Sequence, residues 1–309
     1  MVPRSFRFFL VLWCLLSGIS AEAFGGTISG RCVIEGGVQK RVRLYISGRA
    51  KPFYTERDGT FSIAVAGPGT YTITPFPSGA LVAAPLRATV TIGASDVTGV
   101  DFTLTKLGDS GLLRGRIIDK TGGVMPGTEV LVSSVGRLTT DANGIYLAAG
   151  LAAGRYTVTP LKDGYTFSPS VRTQRVGPGK LVSISPKGRA LPSGSTVGTY
   201  FSGLFDTTLE LQSGACPIVP ARVTGTAIVT QRDEKVRLYL PRLGTGTFVA
   251  TTDRFGGPVN KLKTTCRITG EVTVRYQNRD AATVAGPVRV VCLGTEQCNG
   301  TFAGTMTRR

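Results

Sequence analysis

Thr55-Glu56-Arg57-Asp58-Gly59-Thr60-Phe61 returns 85 residues later as Thr140-Asp141-Ala142-Asn143-Gly144-Ile145-Tyr146. Gly69-Thr70-Tyr71-Thr72-Ile73-Thr74-Pro75 returns at the same offset as Gly154-Arg155-Tyr156-Thr157-Val158-Thr159-Pro160. A solenoid unit of about 20–50 residues must stack to hide its core, whereas a repeat of this length is a module large enough to fold alone. Asp58-Gly59 and Asn143-Gly144 occupy places where a hairpin needs positive φ, which Gly and Asn tolerate. Tyr71 and Tyr156 leave a glycine turn on a strand, so each is expected to point its ring inward and give its hydroxyl to a nearby carbonyl.

Outside the repeat the pattern is of the same kind. Val42, Leu44 and Ile46 alternate with Arg41, Arg43 and Tyr45, and Ile268, Val272, Val274 and Tyr276 alternate with Arg267, Thr273 and Arg275. Period-two alternation bounded by the chain's 41 glycines and 17 prolines predicts an all-β protein of the sandwich or barrel class. The expected organisation is a processing signal over 1–23, β-sandwich modules over 24–105 and 111–185, a linker over 186–198, and a C-terminal β module over 199–309. The last is expected to be a disulfide-bonded sandwich or small barrel. Lys106–Ser110 reads as a short join and Pro186–Gly198 as an extended tether, so the first two modules should sit close and the third should move more freely.

The processing signal rests on Arg4 and Arg7, the apolar run Phe8–Leu16, and the small-x-small site Ala21-Glu22-Ala23. It predicts a secreted or periplasmic protein whose mature chain starts at Phe24 and has no transmembrane segment. Trp13 is the one tryptophan of the chain and Cys14 one of its six cysteines; both would leave with the signal. The whole chain carries 36 Lys and Arg against 19 Asp and Glu, and the excess is spread over all three modules. A nucleic-acid reader concentrates such charge in one module and interleaves aromatics, so no specific nucleic acid is expected. The charge points to a general attraction for anionic surfaces. There is no histidine, which removes the commonest general base and zinc ligand together.

The second module resembles the carboxypeptidase regulatory-like family, transthyretin-like β-sandwiches related to the B-type repeats of bacterial collagen adhesins. The residues that carry this are Gly115-Arg116-Ile117-Ile118-Asp119, Pro126-Gly127 with Val130 and Val132, Thr140–Tyr146, and Leu151 with Gly154–Val158. The likeness covers residues 111–185, weakens over 25–105, where Val33–Gly37 replaces the Asp and Pro-Gly turn, and stops before 198. It implies an Ig-like sandwich with a binding or spacer role in an exported protein, and a fold grouped with carbohydrate-binding-like sandwiches. It names no ligand.

Aligning the copies also sorts individual residues. Cys32 falls opposite Ile117, which makes it a buried core thiol. Arg41 and Arg43 fall opposite Gly127 and Glu129, so the fold does not require a basic stripe there. With Lys40, Arg49 and Lys51 they form the candidate anion-binding face. Cys216, Cys266, Cys292 and Cys298 lie in the third module of an exported chain, where two disulfides are expected in place of a zinc site. Three connectivities are open; Cys216 with Cys266 and Cys292 with Cys298 is the favoured one.

Carboxylates such as Asp233-Glu234 form no catalytic constellation, since neighbours on a strand face opposite sides. Asp141-Ala142-Asn143-Gly144 reads as a turn and not as a calcium loop, because Ile145–Gly150 offers no further oxygen ligands. No cofactor, metal or catalytic residue is expected. The chain reads as a non-catalytic binding or structural component of the cell envelope or extracellular space, with an acidic polysaccharide, a glycan or the envelope surface as partner. The alternatives are a glycan-binding protein using Tyr54, Tyr165, Tyr200 and Tyr239, and a hydrolase seated in the last module. Arg308 and Arg309 are expected on a solvent face.

Overall fold

The computed structural model describes residues 26–37, 41–93, 95–191, 201–215, 219–232, 235–250, 254–263, 266–278, 280–292 and 295–309. The processing signal, Lys40, Tyr200, Cys216 and Asp233-Glu234 lie outside them. The described residues are all-β, and no helix among them is long and apolar enough to cross a membrane.

The first sandwich contains β1 (Thr27–Ile34), β2 (Arg43–Ile46), β3 (Phe53–Tyr54), β4 (Thr60–Ala64), β5 (Gly69–Pro75), β6 (Leu81–Ala84), β7 (Ala88–Ile92) and β8 (Phe102–Lys106). One sheet runs β4-β1-β8-β6 and the other β3-β2-β5-β7. The second contains β9 (Gly111–Arg116), β10 (Ile118–Asp119), β11 (Glu129–Val132), β12 (Gly136–Thr139), β13 (Ile145–Leu151), β14 (Gly154–Leu161), β15 (Tyr165–Ser168), β16 (Arg172–Val176), β17 (Leu181–Ser183) and β18 (Lys187–Ala190). Its sheet β12-β11-β14-β16 faces the ladders β13-β9-β17 and β10-β18-β15. The wiring is the same in both. β1 pairs antiparallel with β4 and parallel with β8, as β9 does with β13 and β17. Lys187–Ala190, assigned to the tether by its composition, instead pairs with Ile118–Asp119 and Tyr165–Ser168, because those edges need a partner for their backbone groups.

The repeated residues do the same work twice. Thr55 and Thr140 are buried, and their hydroxyls accept from the Val42 and Thr128 amides, each at 2.9 Å. Gly59 and Gly144 have φ of 87° and 72°. Tyr71 donates to the Gly67 carbonyl at 2.8 Å and Tyr156 to that of Ala152 at 2.9 Å, closing the two corners. At Gly30 and Gly115 the parallel neighbour passes so close that a Cβ would overlap the Val100 and Ile184 carbonyl oxygens. Beside Gly115, Tyr146 donates to that Ile184 oxygen at 2.6 Å. Cys32 is fully buried and free, in the core with Ile28, Ile34 and Phe102. Burial, with a smaller contribution from Asp101, pushes its thiol up to about 12.

The C-terminal module is a closed barrel of β19 (Gly203–Ala215), β20 (Arg222–Arg232), β21 (Lys235–Leu240), β22 (Gly244–Val249), β23 (Arg254–Lys263), β24 (Cys266–Tyr276), β25 (Ala281–Cys292) and β26 (Thr295–Arg308), taken in order. Alternate residues fill the inside, among them Phe205, Leu209, Val236, Leu238, Phe255 and Phe302. Closure between β19 and β26 leaves no free edge. The pairing of cysteines differs from the favoured one. Cys266 lies directly across from Cys292 on β24 and β25, and these two are joined. This excludes both Cys216–Cys266 and Cys292–Cys298; Cys298 is itself disulfide-bonded. The register explains the choice, since cross-strand neighbours bring sulfurs within reach and sequence spacing does not report register. Arg308 is also unlike its expectation. Its side chain is only 1% exposed, lies over the Phe205 ring at 4.8 Å, and pairs with Asp280 at 2.9 Å.

Two measurements check this core. Gly115→Ala should lower the unfolding free energy in urea by about 3 kcal/mol, an overpacking cost, whereas Gly93→Ala, where nothing lies within 4 Å, should change it by less than about 0.5 kcal/mol. Cys32 should resist a thiol reagent at pH 8 in the native protein and react fully in guanidinium; native reactivity would contradict its burial.

Candidate functional site

Of the candidate anion face, the structure describes Arg41, Arg43, Arg49 and Lys51, all exposed. Arg41 donates to the Thr55 carbonyl at 3.2 Å. Arg43, at the start of β2, lies 5.9 Å from the ring centroid of Tyr54, its cross-strand neighbour. Arg49 is placed differently. It lies 4.8 Å from the ring of Phe53 and donates to the Ala64 carbonyl at 2.6 Å, so it ties β3 to the opposite sheet. Phe53 and Tyr54 are adjacent on one strand and face opposite sides. Arg43 and Arg49 therefore work on different faces.

The charge of Arg43 instead acts on Arg114 of the second sandwich. Arg114 and Arg116 flank Gly115 on β9, both on the outer face, since Leu113 and Ile117 point into the core. The Arg114 guanidinium stacks 3.7 Å from the Phe76 ring centroid and donates to the Pro77 carbonyl. Arg116 lies 4.2 Å from the Tyr45 ring and donates to the Asn143 carbonyl at 3.0 Å. Tyr45 and Phe76 meet edge to face at 5.7 Å, so two rings and two guanidiniums form one block across the junction. Arg114 is 4% exposed, and its Nε has no partner. Burial, then the charge of Arg43, push it down to about 10. The sign follows: a cation with a lowered folded pKa carries a penalty that is fully present below pH 10 and relieved only above it.

Beside this block the turn read from sequence becomes a docking element. Asp141 Oδ1 accepts from the amides of Asn143 and Ile145, each at 2.9 Å, while Oδ2 accepts from the Thr74 hydroxyl of the first sandwich at 2.8 Å. Asn143 Nδ2 reaches the Thr72 carbonyl at 2.9 Å, Thr74 Oγ1 at 3.1 Å and the Tyr45 carbonyl at 3.4 Å. A cleft of about 430 Å³ opens alongside, lined by Thr74, Leu86 and Arg87 from one module and Leu138, Asp141 and Tyr146 from the other. At its rim Arg137 pairs with Glu129 and, at 2.6 Å, with Asp280 of the barrel. Burial alone would raise the Asp280 carboxyl, but Arg137 and Arg308 overcome this and hold it below the usual range. Among the described residues no three His, Cys, Asp or Glu side chains converge as metal ligands. Sequence reasoning missed Arg114, Arg116 and Asn143 as junction residues. The one signal available was an outward arginine on each side of a core-facing glycine.

Of the four tyrosines considered for sugar stacking, Tyr54 and Tyr239 are exposed in different modules and Tyr165 packs against the second core; Tyr200 is outside the described residues.

Residues 113–185, which lie within the second sandwich, match the carboxypeptidase regulatory-like domain family. No curated protein matches the chain. Among solved structures, GBS52, the minor pilin of Streptococcus agalactiae, is 12% identical, covers 54% of this chain and 97% of its own, and has a TM-score of 0.24. A streptococcal ancillary pilin is 12% identical over 74% of this chain and 96% of its own, with a TM-score of 0.25. The Bacillus anthracis TIE protein is 11% identical over 74% of this chain but 49% of its own, with a TM-score of 0.24.

The junction predicts two opposite responses. Asn143→Ala strips the hydrogen bond from the Thr72 carbonyl and should cost about 1–3 kcal/mol in urea unfolding. Arg114→Met keeps the stem packed on Phe76 and removes an unneutralised buried charge, so it should be neutral or stabilising.

Proposed function

We propose that this chain is an exported, non-catalytic component of the cell envelope or extracellular space, in which two docked β-sandwiches form a stiff arm carrying a β-barrel. The observation that carries the reading is the junction itself. Asp141, Asn143, Arg114 and Arg116 are spent on joining the modules, as a spacer requires, and not on a reaction centre. Three further carboxylates hold backbone within their own modules: Asp96 and Asp101 accept from the Thr27 and Arg31 amides at 2.6 and 2.8 Å, and Asp119 accepts from the Thr121 and Gly123 amides.

The arm presents Arg41 and Arg43 beside Tyr54 to an anionic polymer or surface. Contact of this kind is screened over about 10 Å at 0.1 M salt, so binding to an acidic polysaccharide should weaken as salt rises. Arg41→Ser with Arg43→Ser should reduce binding more than Arg172→Ser with Arg175→Ser, an equal charge loss on the exposed residues of β16. Arg308 is unsuited as the reference because it is buried on Phe205. Equal loss in the two double variants would make the attraction one of net charge and remove the face from the reading.

A further inference from the structure

The barrel is sealed by long ladders everywhere except between β22 and β23. There the register pairs are Thr245 with Asn260 and, beyond the strand end, Ala250 with Phe255. Between them Gly246–Val249 runs past Gly256–Val259 without register partners. The cause is chemical: Pro258 has no amide hydrogen to give, and Gly256 and Gly257 add no side chain to hold the edge. On the other side of the same strand, by contrast, β23 and β24 pair continuously from Arg254 with Arg275 to Lys263 with Cys266.

Over this seam a groove of about 390 Å³ lies on the outer wall, lined by Arg237, Thr245, Gly246, Thr247, Pro258 and Asn260. Tyr239 stands at its rim, because it is paired with Thr245 and shares the outward face of β21 with Arg237. It is 38% exposed. Among the described residues the Arg237 guanidinium, the Tyr239, Thr245 and Thr247 hydroxyls and the Asn260 amide make no hydrogen bond or ion pair with protein. Five unengaged polar groups and one aromatic face thus converge on a concave strip about three strands wide, roughly 10 Å at the usual inter-strand spacing.

We propose that this seam binds an acidic saccharide, with a sugar ring laid on Tyr239, hydroxyls held by Asn260, Thr245 and Thr247, and a carboxylate held by Arg237. An aromatic face beside amide and hydroxyl groups suits a ring that is apolar on one side and rich in hydroxyls at its rim. Arg237 adds the planar donor pair that fits a carboxylate. The volume lies at the lower end of the range for small-molecule sites, which suits one or two rings of a chain that continues along the open wall. This site is separate from the Arg41–Arg43 face, and the two can fail independently.

The test is calorimetric titration of the full mature chain with an oligomer of galacturonic acid and with its methyl ester. The acid should bind more tightly than the ester. Arg237→Gln should weaken the acid about 10-fold or more and leave the ester unchanged, while Tyr239→Ala should weaken both about 10-fold or more. Arg41→Ser with Arg43→Ser should leave ester binding within about twofold, and the losses caused by the barrel variants should be the same in its background, because the arm adds a separate share of acid binding. Both barrel positions are exposed, and unchanged thermal midpoints will show that the variants fold; Asn260→Ala serves as a third variant with the same expected loss. The proposal is overturned if the wild-type protein binds neither oligomer at millimolar concentration, if the barrel variants bind as the wild type does, or if only the Arg41–Arg43 variant loses binding.

Discussion

Asp141 uses its two oxygens in opposite directions, and the relation between the first two modules depends on that. One oxygen gathers the amides of its own turn, and the other takes the hydroxyl of Thr74 in the neighbouring sandwich. The turn so held presents Asn143, only 1% exposed, to carbonyls of β2 and β5. A polar group buried in the wrong register would lose its partners at a cost comparable to the bonds it makes, so the two sandwiches have one favoured seating. From that seating follow the stacking of Arg114 on Phe76, that of Arg116 on Tyr45, and the cleft beside Thr74 and Arg87.

The large positive charge of the chain reads differently once the arginines are placed. Arg114 and Arg116 serve as flat, amphipathic packing pieces, Arg49 clasps two sheets, and Arg308 closes one end of the barrel over Phe205. A guanidinium can do this because its faces are weakly hydrated while its edge still donates. What remains exposed is a smaller set, with Arg43 beside Tyr54 on the arm and Arg237 on the barrel among its members. The net charge therefore overstates the cationic surface left exposed, and counting by placement is more informative than counting by composition.

Much of the architecture was legible along the chain, for a reason that the paired copies make plain. Thr55 and Thr140, Gly59 and Gly144, Tyr71 and Tyr156 each satisfy a local requirement of a turn or strand end, and local requirements leave their residues at fixed spacing. Cys32 was readable as core through Ile117 because both occupy the same place in the repeat and each is fully buried in its own module's core. The barrel strands were visible as alternation. The strand Lys187–Ala190 was not, since it is short, half basic, and exists because two distant edges lacked a partner.

The sequence by itself determined that this protein is all-β, that it repeats one module, and which apolar strand residues turn inward, because these follow from periods of two residues and from the φ demands of glycine and asparagine. Only the tertiary structure decided that Cys266 joins Cys292, that the Arg43 charge acts on Arg114 while Arg49 turns away, that Asn143 docks two modules, and that a groove lies beside Pro258 on the barrel wall. Those depend on register and on close approach between residues far apart in the chain. Neither leaves a spacing in the sequence, because the energy of such contacts is set by which strands lie side by side and not by how many residues separate them.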